Sequence, residues 1–211
     1  QSAEIDGRIY GAPGALRANL EGRLESLSYD NIRVANGEIR AAGMQGDTTL
    51  VDRFEMAARV DFFSLSAFRV EQTQLQVNYD SARADIDLMA KIDAQRNLSI
   101  DATLDPFSSP QRLTLNAFDA TLDESKWELL QTASVTLGDA YRVNGLLLYS
   151  DDQQIAADGR IDPDGTQSLV ATIERFEVAS ISDLAGFDGL GGTLNGTIGI
   201  SGPANAPVWS G

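Results

Sequence analysis

The stretch that decides the fold is residues 54–62, which reads Phe-Glu-Met-Ala-Ala-Arg-Val-Asp-Phe. The apolar side chains in this stretch are those of Phe54, Met56, Ala58, Val60 and Phe62. They alternate with Glu55, Ala57, Arg59 and Asp61, three of which are charged. Successive side chains of a β-strand point to opposite faces of the sheet. A period of two therefore predicts a strand with one apolar face and one wet face.

The same alternation recurs at roughly ten- to fifteen-residue intervals along the chain, which is typical of consecutive antiparallel hairpins. The apolar positions in these further runs include Ile86, Leu88, Ile92, Leu98, Ile100, Leu113, Leu115, Val143, Leu147, Ile155, Ile161, Leu194 and Ile198. Trp127 begins another apolar alternation, and Trp127 and Trp209 are interpreted as packing anchors. The chain is predicted to be all-β.

Turn residues fit this prediction, and helix signals are weak. Asn36-Gly37 and Pro163-Asp164-Gly165 lie between alternating runs and predict tight hairpin turns, while Asp151-Asp152 is expected to end a strand. At most two short helical turns are expected, over residues 123–130 and 180–187. The leucines of residues 16–27 have helical spacing, but Gly22 among them favours a strand.

Composition excludes several classes of function. A chain of 211 residues is long enough for one domain with a core. Its residues are 43% apolar and 22% charged, and the formal net charge of −15 predicts a strongly negative protein surface. Nucleic acid is not expected as a partner, because such a surface repels phosphate. No apolar run is long enough to span a bilayer. The chain is predicted to be one continuous β-repeat segment over residues 1–211, with a sub-boundary near 105–112.

The chain has no histidine and no cysteine, which removes most catalytic and metal-binding patterns. Residues 162–165 (Asp-Pro-Asp-Gly) and the pair Asp85 and Asp87 suggest calcium ligands, but a hairpin turn and a solvated strand face explain them better. Ser125-Lys126 lacks the spacing of a serine–lysine nucleophile. We therefore expect no enzymatic activity, no metal and no cofactor.

A faint internal repeat links the two ends of the chain. Residues 6–13 and 192–203 both place glycines around a short apolar run and close with a proline-bearing turn. Repeats of this kind are typical of arrays built strand by strand.

Residues 190–211 read LGGTLNGTIGISGPANAPVWSG and resemble a recurring signature of TamB-type proteins of the AsmA-like superfamily. The signature is Gly-x-apolar-x-Gly-x-apolar-x-apolar-x-Gly, a few residues, a proline and a closing small residue. The resemblance covers residues 110–211 well and residues 1–109 more loosely. It rests on the spacing of glycine, proline and aliphatic residues.

The resemblance implies a fold and a location. TamB-type proteins are anchored in the inner membrane by an N-terminal helix and extend across the periplasm as an elongated, curled antiparallel β-sheet. This sheet forms a trough, or β-taco, with an aliphatic concave face. They are linked to phospholipid movement towards the outer membrane and to outer-membrane protein assembly with a TamA-like barrel partner. The present chain is expected to be a periplasmic fragment of such a protein that does not itself span the membrane.

The apolar positions are accordingly interpreted as lining a groove for phospholipid acyl chains. Periodicity alone does not separate a lined groove from the filled core of a sandwich, and only the resemblance favours the groove. The predicted groove-lining set is Phe54, Met56, Val60, Phe62, Ile86, Leu88, Ile92, Leu98, Ile100, Leu113, Leu115, Trp127, Val143, Leu147, Ile155, Ile161, Leu194 and Ile198. Two alternatives stay open: a groove or sheet edge that holds nascent outer-membrane strands, and an acidic extracellular spacer or adhesin segment.

Overall fold

The computed structural model of the chain describes residues 2–12, 14–45, 51–65, 68–179 and 191–211. It is 76% strand and 1% helix, and its strands form one curled antiparallel sheet that is not closed into a barrel. The predicted all-β fold is confirmed. The helical turn predicted over residues 180–187 lies outside the described residues.

Sixteen strands are present in the described residues. They are β1 (Ser2–Tyr10), β2 (Arg17–Tyr29), β3 (Ile32–Met44), β4 (Arg53–Leu65), β5 (Phe68–Val70), β6 (Gln72–Asp80), β7 (Arg83–Lys91), β8 (Arg96–Asp105), β9 (Gln111–Leu122), β10 (Ser125–Leu129), β11 (Ala133–Leu137), β12 (Tyr141–Ser150), β13 (Gln153–Ile161), β14 (Thr166–Glu177), β15 (Thr193–Pro203) and β16 (Val208–Ser210).

Strand order in the sheet follows chain order with two local exceptions. The short strand β5 pairs only with β4, and β10 and β11 lie end to end between β9 and β12. The chain forms two compact units, residues 1–99 (unit 1) and 100–211 (unit 2), and each is described by itself below.

Four of the hairpin connections are two-residue turns that begin with a residue in the left-handed region. These residues are Asp30, Ser81, Asp123 and Asp151, with φ between 45° and 56°. Aspartate tolerates this conformation, and such turns match the twist of the flanking strands. Asp151-Asp152 therefore ends a strand as predicted. The helical turn predicted over residues 123–130 is wrong, because Asp123-Glu124 is a hairpin turn and β10 follows at once.

The hairpin turn predicted at Asn36-Gly37 is also wrong. Asn36 does adopt a positive φ of 52°, but it lies inside β3, between the paired positions Ala35 and Gly37. The hairpin turns earlier, at Asp30-Asn31, and that turn sets the register of β2 against β3. The turn at residues 163–165 is confirmed: the N–H of Gly165 donates to the carbonyl of Asp162 at 3.2 Å.

The strand predicted from Gly22 is confirmed as β2. The faint repeat between the chain ends also has a structural counterpart. Gly11 comes directly after β1 and Gly202 lies near the end of β15, and both have a positive φ. The atom nearest to a Cβ built on each glycine is the carbonyl oxygen of the residue four positions later, which is Ala15 for Gly11 and Ala206 for Gly202. The two hairpins therefore turn in a similar way.

The Asp93 carboxylate accepts several hydrogen bonds within the connection between β7 and β8. Asp93 accepts hydrogen bonds from the backbone N–H groups of Gln95 (2.8 Å) and Arg96 (2.9 Å) and from Nε of Arg96 (2.7 Å). The Arg96 side chain, together with the Gln95 N–H, holds the pKa of Asp93 below its ordinary value of 3.8.

We expect Asp93→Asn to lower the free energy of unfolding by about 1 kcal/mol at neutral pH, because it removes the charge from these hydrogen bonds. A carboxyl whose pKa is lowered by folding stabilises the protein above its unfolded pKa, and that contribution is lost as the pH falls through the folded pKa. Urea unfolding at about pH 7 and about pH 3 should show the difference from wild type shrinking in acid. Asp87→Asn, on the exposed face of β7, is the control and should change neither value. A deficit that is equal at both pH values would contradict the assignment.

Candidate functional site

One face of the sheet in unit 1 is apolar across six strands. Directly opposed residues of paired strands lie on the same face, so the pairings sort residues into rows that cross β1, β2, β3, β4, β6 and β7. The rows are Ala3, Leu24, Gly37, Val60, Thr73, Ala90; Ile5, Gly22, Ile39, Ala58, Leu75, Leu88; Gly7, Leu20, Ala41, Met56, Val77, Ile86; and Ile9, Ala18, Gly43, Phe54, Tyr79, Ala84. We call this surface apolar face 1. It brings together the predicted residues Phe54, Met56, Val60, Ile86 and Leu88.

Large and small residues alternate along these rows. Leu20 lies between Gly7 and Ala41, and Gly22 lies between Ile5 and Ile39. The small residues leave hollows between the large ones. One hollow of about 440 Å³ is bordered by Ile9, Leu16, Leu20, Met44, Val51 and Phe54, among others, and a second of about 270 Å³ lies around Ile5, Leu24, Ile39 and Val60. The first is within the size range of small-molecule pockets.

Apolar face 1 has no covering layer in the described residues. In the described part of unit 1 every strand belongs to one hydrogen-bonded sheet, so no second sheet covers this face. Its large side chains are half-buried or exposed, and Leu20 keeps 39% of its surface. The buried apolar residues in the described parts of the whole chain are few and mostly alanine: Val70, Ala84, Ala102, Ala120, Trp127, Ala133 and Phe176. A filled sandwich core is therefore not present here.

Unit 2 carries a second apolar face. One row crosses seven strands as Leu113, Val135, Val143, Gly159, Leu169, Ile200 and Trp209. Neighbouring rows are Leu146, Ala157, Ala171, Ile198 and Leu129, Leu148, Ile155, Ile173, Gly196. We call this surface apolar face 2. It contains the predicted residues Leu113, Val143, Ile155 and Ile198, and Leu115, Ile161 and Leu194 lie on it in adjoining rows.

The prediction that Leu147 shares a face with Val143 is wrong. Asn144 and Gly145 together oppose the single residue Asp158, so β12 bulges between Val143 and Leu146. Gly145 has a φ of 66°, and its N–H donates to the Asp158 carboxylate at 3.0 Å. The extra residue shifts the alternation by one, which is the ordinary effect of a β-bulge. Leu146 and Leu148 consequently continue the face of Val143, while Leu147 lies on the other face, opposite Ala156.

Apolar face 2 closes at one end around Trp127. The Trp127 and Phe176 ring centroids are 5.5 Å apart, with the ring planes at 46°. β10 and β14 are separated in the sheet by β12 and β13, a distance of about 14 Å in a flat sheet. Their contact therefore requires the sheet to bend towards this face. The buried Gln153 of β13 accepts a hydrogen bond from the Glu177 N–H (2.9 Å).

The remaining predicted residues are placed as follows. Phe62 follows Val60 on the same side of β4, opposite Ala35. Ile92 lies beyond the end of β7, in the connection to β8, where its N–H donates to the Arg96 carbonyl at 2.9 Å. Leu98 and Ile100 alternate along β8 with polar residues such as Asp101. The Asp101 carboxylate accepts a hydrogen bond from the side-chain amide of Asn116 in β9 at 2.6 Å.

The predicted groove-lining set left out many apolar residues of these two faces. On β2 and β3, glycine and alanine occupy part of the apolar face, so the alternation is diluted around Leu20 and Ile39. Phe176 was missed because Glu174 and Arg175 form a bulge opposite Asn195, which again shifts the alternation. A search for rows of alternating large and small residues across strands would have found Leu20 and Ile39, but it would not have found Phe176.

The opposite faces carry the charged and amide side chains. On β10 and β12, Glu128 forms an ion pair with Lys126 and accepts a hydrogen bond from the Tyr149 hydroxyl at 2.7 Å. The hydrogen bond from Lys126, followed by that from Tyr149, lowers the pKa of Glu128, and the bond to Glu128 raises the pKa of both Lys126 and Tyr149. These shifts keep each group in its ordinary charge state at neutral pH.

In the described residues, no cluster of three or more acidic side chains is arranged to hold a metal ion. No helix among them has the length and apolar character that crossing a membrane would require. Comparison with known proteins finds no match: no family model, curated protein or solved structure is significantly similar to this chain. The functional argument therefore depends on the two apolar faces.

Proposed function

We propose that the chain binds lipid acyl chains on apolar faces 1 and 2 and has no catalytic role. The proposal depends on apolar face 1, which has no covering layer in the described residues, and on the part of apolar face 2 where Ile198 and Trp209 are 57% and 68% exposed. A sheet with one apolar face must bury it against something. Acyl chains suit surfaces made of aliphatic side chains because they bring no polar group that needs a hydrogen bond. The contacts are numerous, weak and alike, so a bound chain can slide along a face.

The resemblance to TamB-type proteins extends the proposal to a biological setting. In that setting the chain is a periplasmic segment of a larger protein anchored in the inner membrane. It shields phospholipid acyl chains on their way to the outer membrane and supports outer-membrane protein assembly with a barrel partner. The acidic character of the chain favours this reading, because it discourages adhesion to anionic membrane surfaces.

A charge placed on apolar face 1 tests the proposal. We expect Leu20→Glu to reduce total retention of phosphatidylethanolamine by roughly half, because an acyl chain lying over an unpaired carboxylate on apolar face 1 desolvates it, while apolar face 2 is unchanged. The side chain of Leu20 is 39% exposed, so the variant should fold. Retention is measured by native mass spectrometry after incubation with phosphatidylethanolamine vesicles.

The matched control is Ala57→Glu, which adds the same charge to the exposed opposite face of β4. It should retain lipid as the wild type does. A wild-type chain that retains no phosphatidylethanolamine would refute the proposal, as would an equal loss in both variants.

A further inference from the structure

Positive charge in unit 2 is concentrated in one row on the face opposite apolar face 2. Residues 100–211 contain five basic side chains and sixteen acidic ones. Three of the five basic residues, Arg112, Arg142 and Arg160, lie in a single row across the strands. Thr136 of β11 lies opposite both Arg112 and Arg142, and Arg142 in turn lies directly opposite Arg160. We call this row the arginine row.

The guanidinium groups of the arginine row are only partly neutralised by acidic neighbours. Within the described residues Arg160 forms an ion pair with Asp162, whereas Arg112 and Arg142 form none. Arg142 and Arg160 face each other directly, and like charges in that position repel. An anion held between them removes the repulsion, and guanidinium groups form paired hydrogen bonds with phosphate oxygens.

A hollow of about 380 Å³ lies beside the two opposed arginines. Its border includes Arg142, Arg160 and Thr136, together with Asp139 in the turn between β11 and β12. Asp139 is exposed, and it forms no ion pair within the part of the chain that the structure describes. The hollow therefore presents two positive groups and one negative group.

The hollow lies at the ends of the strands, where the polar face meets the margin of apolar face 2. β12 begins at Tyr141 and β13 ends at Ile161, and these residues oppose each other on apolar face 2 with 50% and 37% of their surfaces exposed. Arg142 and Arg160 are their neighbours in sequence, and successive side chains of a strand point to opposite faces. An amphiphile lying on this margin therefore has its polar end beside the arginines.

We infer that the hollow binds the phosphoethanolamine headgroup of a phosphatidylethanolamine molecule whose acyl chains lie on apolar face 2. The phosphate lies between Arg142 and Arg160, and the ammonium group faces the Asp139 carboxylate. This zwitterion matches both signs of charge in the hollow, whereas a phosphoglycerol headgroup leaves Asp139 without a partner. Recognition of the headgroup depends on the hollow alone, but its attachment to acyl chains rests on the proposed function.

Nuclear magnetic resonance titration of the full chain tests headgroup recognition without acyl chains. We expect soluble glycerophosphoethanolamine to shift the backbone amide signals of Gly138 and Asp139 saturably. Arg142→Gln should weaken this binding about tenfold, because it removes charged hydrogen bonds to the phosphate. Arg112→Gln is the matched control and should bind as the wild type does, because Arg112 is in the same row but does not border the hollow. Unshifted amides in the wild type, or equal weakening in both variants, would overturn the inference.

Headgroup analogues distinguish a lipid headgroup from free phosphate. The wild type should bind glycerophosphoethanolamine about threefold more tightly than glycerophosphoglycerol, which is the size of effect expected for an exposed ion pair. Asp139→Asn should abolish that preference. A wild-type chain that binds inorganic phosphate but neither headgroup would overturn the inference in favour of a site for the free ion.

Phosphatidylethanolamine vesicles test the attachment to acyl chains. A chain loaded with this lipid should show shifted Gly138 and Asp139 amides, and a chain loaded with dioleoylglycerol, which has no phosphate, should not. Retained phosphatidylethanolamine that leaves both amides unshifted would refute the inference but not the proposed function. A chain that binds the soluble headgroup but retains no phosphatidylethanolamine would refute the proposed function, and with it the attachment of the headgroup to acyl chains on apolar face 2.

Discussion

Trp127→Ala is expected to lower the free energy of unfolding of unit 2 by about 3–5 kcal/mol, because it removes a large buried aromatic side chain and leaves a cavity. Trp127 is only 2% exposed and packs against Phe176 at the closed end of apolar face 2. Since a marginally stable domain has about 5–15 kcal/mol in total, the variant should be close to unfolding at room temperature. Urea unfolding followed by far-ultraviolet circular dichroism measures the effect without depending on tryptophan fluorescence.

Trp209 provides the matched control. It is the other tryptophan of the chain, it lies on the same apolar face, and it is 68% exposed. Trp209→Ala should cost less than about 1 kcal/mol. Comparable losses in the two variants would show that the closed end around Trp127 does not hold the unit together, and the interpretation of this contact would have to be abandoned.

Gly159→Ala is expected to be as damaging, for a reason that lies in the backbone. Gly159 has a φ of 134°, and a Cβ there would lie 2.0 Å from the carbonyl oxygen of Ser168 and 2.6 Å from Cα of Leu169. The contact is with the neighbouring strand itself, which cannot move away without breaking the pairing of β13 with β14. The strained φ and the clash together should destabilise unit 2 by about 3 kcal/mol or more.

Gly196→Ala is the comparison for that experiment. Gly196 lies on the same face of unit 2, in β15, and a Cβ there meets no atom within 4 Å. The thermal midpoint of the Gly196→Ala protein should stay within a few degrees of the wild-type value, whereas that of the Gly159→Ala protein should fall by about 10 °C or more. A Gly159→Ala protein with a wild-type midpoint would contradict the described path of β13.

Periodicity of two was enough to predict the all-β fold and, where the alternation is unbroken, which side chains of a strand share a face. Phe54, Met56 and Val60 lie on one face because nothing interrupts the alternation of β4 between them. The same reasoning failed at Leu147, because after a bulge each side chain of the strand points to the sheet face opposite to the one that strict alternation predicts. The local sequence around Gly145 does not show how many residues the neighbouring strand places opposite it. A bulge is a property of two strands.

The resemblance implied a curled sheet, but the residues that meet across the bend were not predicted from the alternation. The contact between Trp127 and Phe176 joins residues that are far apart in the chain and not on neighbouring strands. Turn chemistry misled in a different way at Asn36. This residue adopts the backbone conformation that its type favours, but within a strand, while the turn itself formed at Asp30.

The two-residue turns at Asp30, Ser81, Asp123 and Asp151 have a consequence for folding kinetics. Each joins strands that are neighbours in the sheet as well as in the chain, so few of the pairings require distant segments to find each other. Low contact order is associated with fast folding. All-β proteins usually fold slowly because most of their strand pairings join segments that are far apart in the chain. This sheet should instead grow by adding one hairpin at a time to a hairpin already formed, as repeat arrays do when they nucleate locally and propagate.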